Sequence, residues 1–164
     1  MSIIRYSIIV LFFTFSSSFA EEVKKIGKFK DWEVIQVLDT SGKICFAQSK
    51  PVLQSPKKGD REARLFVTFR PGENIKDEVS ITSGHEYKSS SVTARSGKNN
   101  FSFFSQNNFA WLLDEREEQK LIKTMKRATD LMIKANSKKG TQSTDHYSMM
   151  GFTKAYNTAK KNCS

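Results

Sequence analysis

Apolar and polar residues alternate most regularly in residues 63–70, where Ala63, Leu65, Val67 and Phe69 stand against Arg64, Phe66, Thr68 and Arg70. A period of two marks a strand with one face in a core, so the first four side chains are expected to be buried. Pro71-Gly72 ends the run. Residues 31–38 (DWEVIQVL) are rich in β-formers, and the turn residues Asp39-Thr-Ser-Gly42 separate them from residues 43–48 (KICFAQ), which predicts a hairpin. Further short strands are predicted around 78–83, 90–95 and 100–104, with polar turns between them. Strands at this spacing indicate an antiparallel sandwich or barrel. The aromatic run Phe101, Phe103, Phe104, Phe109 and Trp111 is expected to fill core and edge positions rather than to form a ligand shelf, because aromatics dominate β cores.

The pattern changes at Asp114. Acids crowd the start of residues 114–127 (DEREEQKLIKTMKR) and bases its end, as a helix macrodipole prefers, with Leu121, Ile122, Met125 and Ala128 as the buried stripe. The charge run then reads as a solvated helix face rather than a binding patch. Residues 130–135 are expected to form a strand, 137–140 a turn and 141–148 another strand. Phe152, Ala155, Tyr156 and Ala159 recur at helical spacing and predict a short amphipathic helix with Cys163 just beyond it.

Composition adds a compartment. Arg5, an apolar block of about nine residues and small residues at Ser18 and Ala20 describe a secretory signal peptide over residues 1–20, cleaved between Ala20 and Glu21. The block is shorter than the roughly 20 apolar residues of a membrane span, so no transmembrane helix is expected in the mature chain, residues 21–164, which suits one domain. The formal net charge is +10, carried by twenty lysines and seven arginines. Arginine forks and clustered stacking aromatics, which nucleic-acid sites favour, do not stand out in the sequence, so no nucleic-acid partner is expected. An exported basic protein instead meets anionic envelope surfaces, or is kept soluble by its charge. The two cysteines, Cys45 and Cys163, are an even count compatible with one disulfide in an oxidising compartment. Free thiols or a redox pair are the alternatives, and no Cys-x-x-Cys motif supports the latter.

Candidate chemistry concentrates in residues 143–163 (STDHYSMMGFTKAYNTAKKNC). Asp145, His146 and Ser148 are too close in sequence to make a triad, since on a strand His146 and Ser148 share a face while Asp145 points away. No Gly-x-Ser-x-Gly elbow, phosphate loop or metal-ligand spacing is present, and His85 reads as a polar turn residue. No catalytic, cofactor-binding or metal residue is assigned. Asp145, Tyr147, Ser148 and Gly151 are read as a structural junction between strand and helix: Asp145 and Ser148 bonding nearby backbone, Ser148 or Thr153 capping the helix, and Tyr147 packing its ring while its hydroxyl finds a partner.

The chain resembles the invasion-associated locus B family of exported bacterial proteins. The likeness rests on DWEV (31–34), ICFAQSKP (44–51), LFVTFRPGE (65–73), DEVSITSGHEY (77–87), FAW (109–111), TMKRA (124–128) and SKKGTQSTDHYSMMGFTKA (137–155), followed by the terminal cysteine. It departs at Thr129, Met149 and Met150, and lacks the mid-chain cysteine pair that some members carry. The resemblance implies a small β-sandwich-like envelope or periplasmic domain, without catalytic residues or cofactor to carry over. The combined expectation is a mainly β, antiparallel immunoglobulin-like sandwich with one mid-chain helix and one short C-terminal helix, periplasmic or secreted. It is expected to act by binding a protein or an anionic envelope surface. A hydrolase with a site near His146 and Ser148, and a surface-exposed adhesin or virulence accessory, are the alternatives.

Overall fold

The computed structural model describes residues 22–40, 42–57 and 61–163; the signal segment and the Ala20–Glu21 cleavage site lie outside the described residues. In chain order the elements are β1 (Glu22–Phe29), β2 (Trp32–Asp39), β3 (Gly42–Ser49), β4 (Leu53–Ser55), β5 (Arg64–Arg70), β6 (Ile75–Thr82), β7 (Val92–Ser96), β8 (Asn99–Gln106), β9 (Phe109–Trp111), α1 (Glu115–Met125), β10 (Asp130–Asn136), β11 (Gln142–Ser148) and α2 (Phe152–Asn162). Among the described residues every strand pairing is antiparallel, in the order β1-β2-β3-β5-β6-β9-β8-β7-β10-β11-β4. The protein is mainly β, with two helices.

Strand β8 belongs to both halves of this sheet. Its residues 99–103 pair with β7, and Phe104, Ser105 and Gln106 pair with β9. The sheet turns there and folds onto itself as a sandwich-like pair of layers, with Leu65, Val67, Val79 and Ile81 from one layer and Ala94, Leu131, Ile133 and Tyr147 from the other in one buried cluster. Each layer contributes alternate residues, as strands with one buried face must. The expected core face of β5 is buried: Ala63, Leu65 and Val67 have no exposure and Phe69 is 4% exposed. The expected hairpin is β2–β3, paired from Trp32↔Ser49 to Asp39↔Gly42.

Helix α1 starts where the sequence places it. Asp114 accepts the Glu117 N–H at 3.0 Å, and Leu121, Ile122 and Met125 are buried, with Ala128 half-buried just beyond the helix. Helix α2 buries Phe152, Ala155, Tyr156 and Ala159 over β2, β3 and β5, with Phe152 4.7 Å from Trp32 and Tyr156 5.6 Å from Phe69 between ring centroids.

Two departures from the sequence reading bear on function. Strand β1 has no alternation to detect, because it is an outermost strand with most of its residues in solvent. The aromatic run divides: Phe101 and Phe103 enter the core, whereas Phe104, Phe109 and Trp111 lie on the outer face of the sheet. The break follows strand alternation, which turns Phe101 and Phe103 inward on β8 and Ala110 inward on β9.

Candidate functional site

Strand β11 sorts its chemistry by alternation. Ser143, Asp145 and Tyr147 face inward and are buried; Thr144, His146 and Ser148 face outward and are half-buried. The acid, base and hydroxyl closest in sequence are thus held on opposite faces, as the strand period requires.

Asp145 does not bond nearby backbone, contrary to the sequence expectation. Its carboxylate is fully buried and takes both terminal nitrogens of Arg61, Nη1 at 3.1 Å and Nη2 at 2.5 Å. Nη1 also donates to the Ser83 carbonyl at 2.8 Å. Buried charge demands this fork, since an unpaired carboxylate inside a protein is costly. Around the pair, the Tyr87 hydroxyl donates to Ser83 Oγ at 3.0 Å, and His85 Nε2 lies 3.0 Å from Ser143 Oγ. Burial pushes the Tyr87 hydroxyl up to about 12. Gly84, at φ +72°, lets the chain approach so closely that a β-carbon there would stand 2.7 Å from the Glu62 amide nitrogen. Residues 83–87 and strand β11 meet in this cluster. Tyr147 lies beside it, yet its buried hydroxyl has no hydrogen-bond partner, which corrects the expectation that it would find one. Burial, reinforced by the Asp145 charge, raises that hydroxyl well above the usual phenol range.

The Ser143–His85 contact is the one hydroxyl–imidazole pair in this cluster. Ser143 is 1% exposed, and the other ring nitrogen of His85 faces the Glu86 carbonyl at 3.2 Å rather than an acid. A nucleophile needs access to its substrate and a base held in the right tautomer. This pair ties β11 to the 83–87 loop. Among the described residues no group of three or more His, Cys, Asp or Glu could hold a metal ion, and no helix is long and apolar enough to cross a membrane.

The strand-to-helix junction is capped by Gly151 at φ +91°, with no side-chain cap from Ser148 or Thr153. Ser148 Oγ instead accepts the Met150 N–H at 3.2 Å, and its carbonyl accepts Trp32 Nε1 at 2.9 Å. At the far end of α2, Cys163 is disulfide-bonded to Cys45 of β3.

A different region gathers the positive charge. Lys98, in the turn between β7 and β8, faces Arg116, Lys120, Lys123 and Arg127 of the α1 segment across a groove of about 640 Å³, and no carboxylate lines it. The four α1 cations sit at i, i+4, i+7 and i+11, one line down a helix. As the sequence predicts, these side chains are exposed on a solvated helix face, and the same basic edge forms one wall of the concavity. On the neighbouring side of α1, Glu118 accepts the Val79 N–H at 3.2 Å, and burial together with the charges of Glu78 and Asp77 pushes its carboxyl up to about 7. Asp77 in turn accepts the Tyr156 hydroxyl at 2.6 Å, and Lys126 Nζ lies 3.8 Å from the centroid of that ring.

Comparison with family models, curated proteins and solved structures found no match to this chain. The functional reading rests on its own residues.

Proposed function

We propose that this chain is an exported, non-catalytic envelope protein of the invasion-associated locus B type, and that it acts by binding an anionic envelope surface through the α1 groove. The observation that carries the reading is the groove itself: five cations from two elements around one concavity, with no acid in its lining. Cations of one sign gathered around a concavity focus the field and concentrate an anionic partner. The Cys45–Cys163 disulfide supports an oxidising compartment, where such surfaces are met.

The test is sedimentation of the mature protein with vesicles of phosphatidylcholine containing phosphatidylglycerol, at two salt concentrations. Each Lys or Arg near an anionic surface contributes about 1 kcal/mol, so Lys123→Gln with Arg127→Gln should weaken binding roughly 30-fold and flatten its salt dependence. Unchanged binding by the double variant, or no binding of the parent protein at low salt, overturns the proposal.

A further inference from the structure

A second surface has the opposite character. Five aromatic rings form a continuous band across the outer face of β3, β5, β9 and β8: Phe46 to Phe66 at 5.8 Å, Phe66 to Phe109 at 6.5 Å, Phe109 to Trp111 at 5.9 Å and Trp111 to Phe104 at 5.5 Å between centroids. Ser80 of β6 pairs with Phe66 on one side and Trp111 on the other, so a small side chain separates the large ones. The rings are half-buried by one another, and Phe104 is 41% exposed. Contiguous apolar surface of this kind on a soluble face marks an interaction site.

The charges beside the band cancel in pairs: Lys25 with Glu33, Arg64 with Glu62, and Arg70 with both Glu73 and Glu78. Arg64 and Arg70 on this face are thus engaged by acids, and Glu78 and Glu118 at its edge disfavour an anionic polymer. At the Trp111 end the band opens into a cleft of about 380 Å³, lined by Phe104, Trp111, Leu112, Leu113, Glu78 and Glu118. Aromatic rings beside carboxyl groups suit a ligand with C–H faces and hydroxyl donors. A carboxylate has about four acceptor positions, and the Val79 N–H on Glu118 and the Arg70 guanidinium on Glu78 leave some of them open. A second copy of the chain fits less well: a two-fold interface would bring Glu78 and Glu118 in again from the partner, with each Arg70 already engaged by its own Glu78 and Glu73.

We propose that this face binds a neutral glycan, one pyranose ring packing on Trp111 and Phe104 with its hydroxyls donating to Glu78 and Glu118, and the chain continuing along the aromatic band. The site is separate from the α1 groove and stands without the function proposed for it. Recognition by stacked C–H surface and hydroxyl bonds to acids gives both area and specificity.

Trp32 is fully buried and Trp111 lies on the open face, so a ligand-induced change in tryptophan emission reports Trp111. The mature protein is titrated with chitotetraose and with cellotetraose, following fluorescence and calorimetry. At least one of them is expected to bind in the millimolar range or tighter with a blue shift. Trp111→Ala should then lose at least tenfold in affinity, Phe104→Ser should weaken binding on a fold whose stability is checked separately, and Lys123→Gln with Arg127→Gln should leave it unchanged. Absence of binding by both oligosaccharides, undiminished binding in Phe104→Ser, or a dimer of the parent protein that Phe104→Ser dissociates overturns the proposal. The last outcome would mean that a second copy covers the face.

Discussion

Gly151 and Phe29 meet backbone to backbone: a β-carbon on Gly151 would stand 1.9 Å from the Phe29 carbonyl oxygen. The contact lets α2 begin directly over the end of β1, and Gly151 holds φ +91°, where L side chains are strained. Gly151→Ala is expected to destabilise the protein by about 3 kcal/mol, at the upper end of ordinary substitutions, measured by urea unfolding. A loss under about 1 kcal/mol would show that the junction relaxes freely.

Arg61 and Asp145 are a buried pair with side-chain exposures of 12% and 0%. Removing one partner strands the other charge, so Arg61→Leu should cost about 3–5 kcal/mol. Arg61→Leu combined with Asp145→Leu should cost less than the sum of the single changes, because the double variant buries no lone ion. Strict additivity in the double-mutant cycle would dismiss the coupling.

Glu118 predicts a pH dependence. Its carboxyl titrates at about 7 in the fold against an ordinary 4.5. Between these values the unfolded chain has released a proton that the folded chain retains, so the contribution of this group to stability falls as pH rises through the window. Below the window the group has no such effect, and above it the full cost applies. Glu118→Gln, whose amide oxygen can still accept the Val79 N–H, should match the parent at pH 4 and be more stable at pH 8 in denaturant melts. Equal stability at both pH values would refute the assignment.

The Cys45–Cys163 bond closes 118 residues of chain. In the chain-entropy treatment such a loop contributes up to about 5 kcal/mol. Cys45→Ser with Cys163→Ser should therefore shift the unfolding midpoint far down, and reductant should move the parent to the same place. An unmoved midpoint, or two free thiols in the non-reduced protein, would rule out the disulfide as a latch.

Much of this architecture is readable in the sequence where the signal is local. The faces of β5, the β2–β3 hairpin and both helices follow from periodicity and turn residues, and the cysteine count permits the disulfide that forms. The candidate surfaces are not local. Arg61 and Asp145 are 84 residues apart. Lys98 joins the α1 cations only because the β7–β8 turn comes to rest beside the helix, and Trp111 meets Phe104 and Phe109 on the outer face because β9 turns Ala110 inward. Ser148 and Thr153 look like helix caps by residue type, yet the space left by Phe29 admits only a glycine at the entry to α2.

Among the described residues the sheet does not close, and β1 and β4 are its two outermost strands. Strand β1 carries exposed Lys24, Lys25 and Lys28 and a register shift between Lys25 and Gly27, while β4 is three residues long. Lysines, bulges and short strands are the means by which open sheets resist edge-to-edge polymerisation. Part of the lysine excess thus protects the protein from fibril-like assembly at high local concentration, a role separate from any ligand.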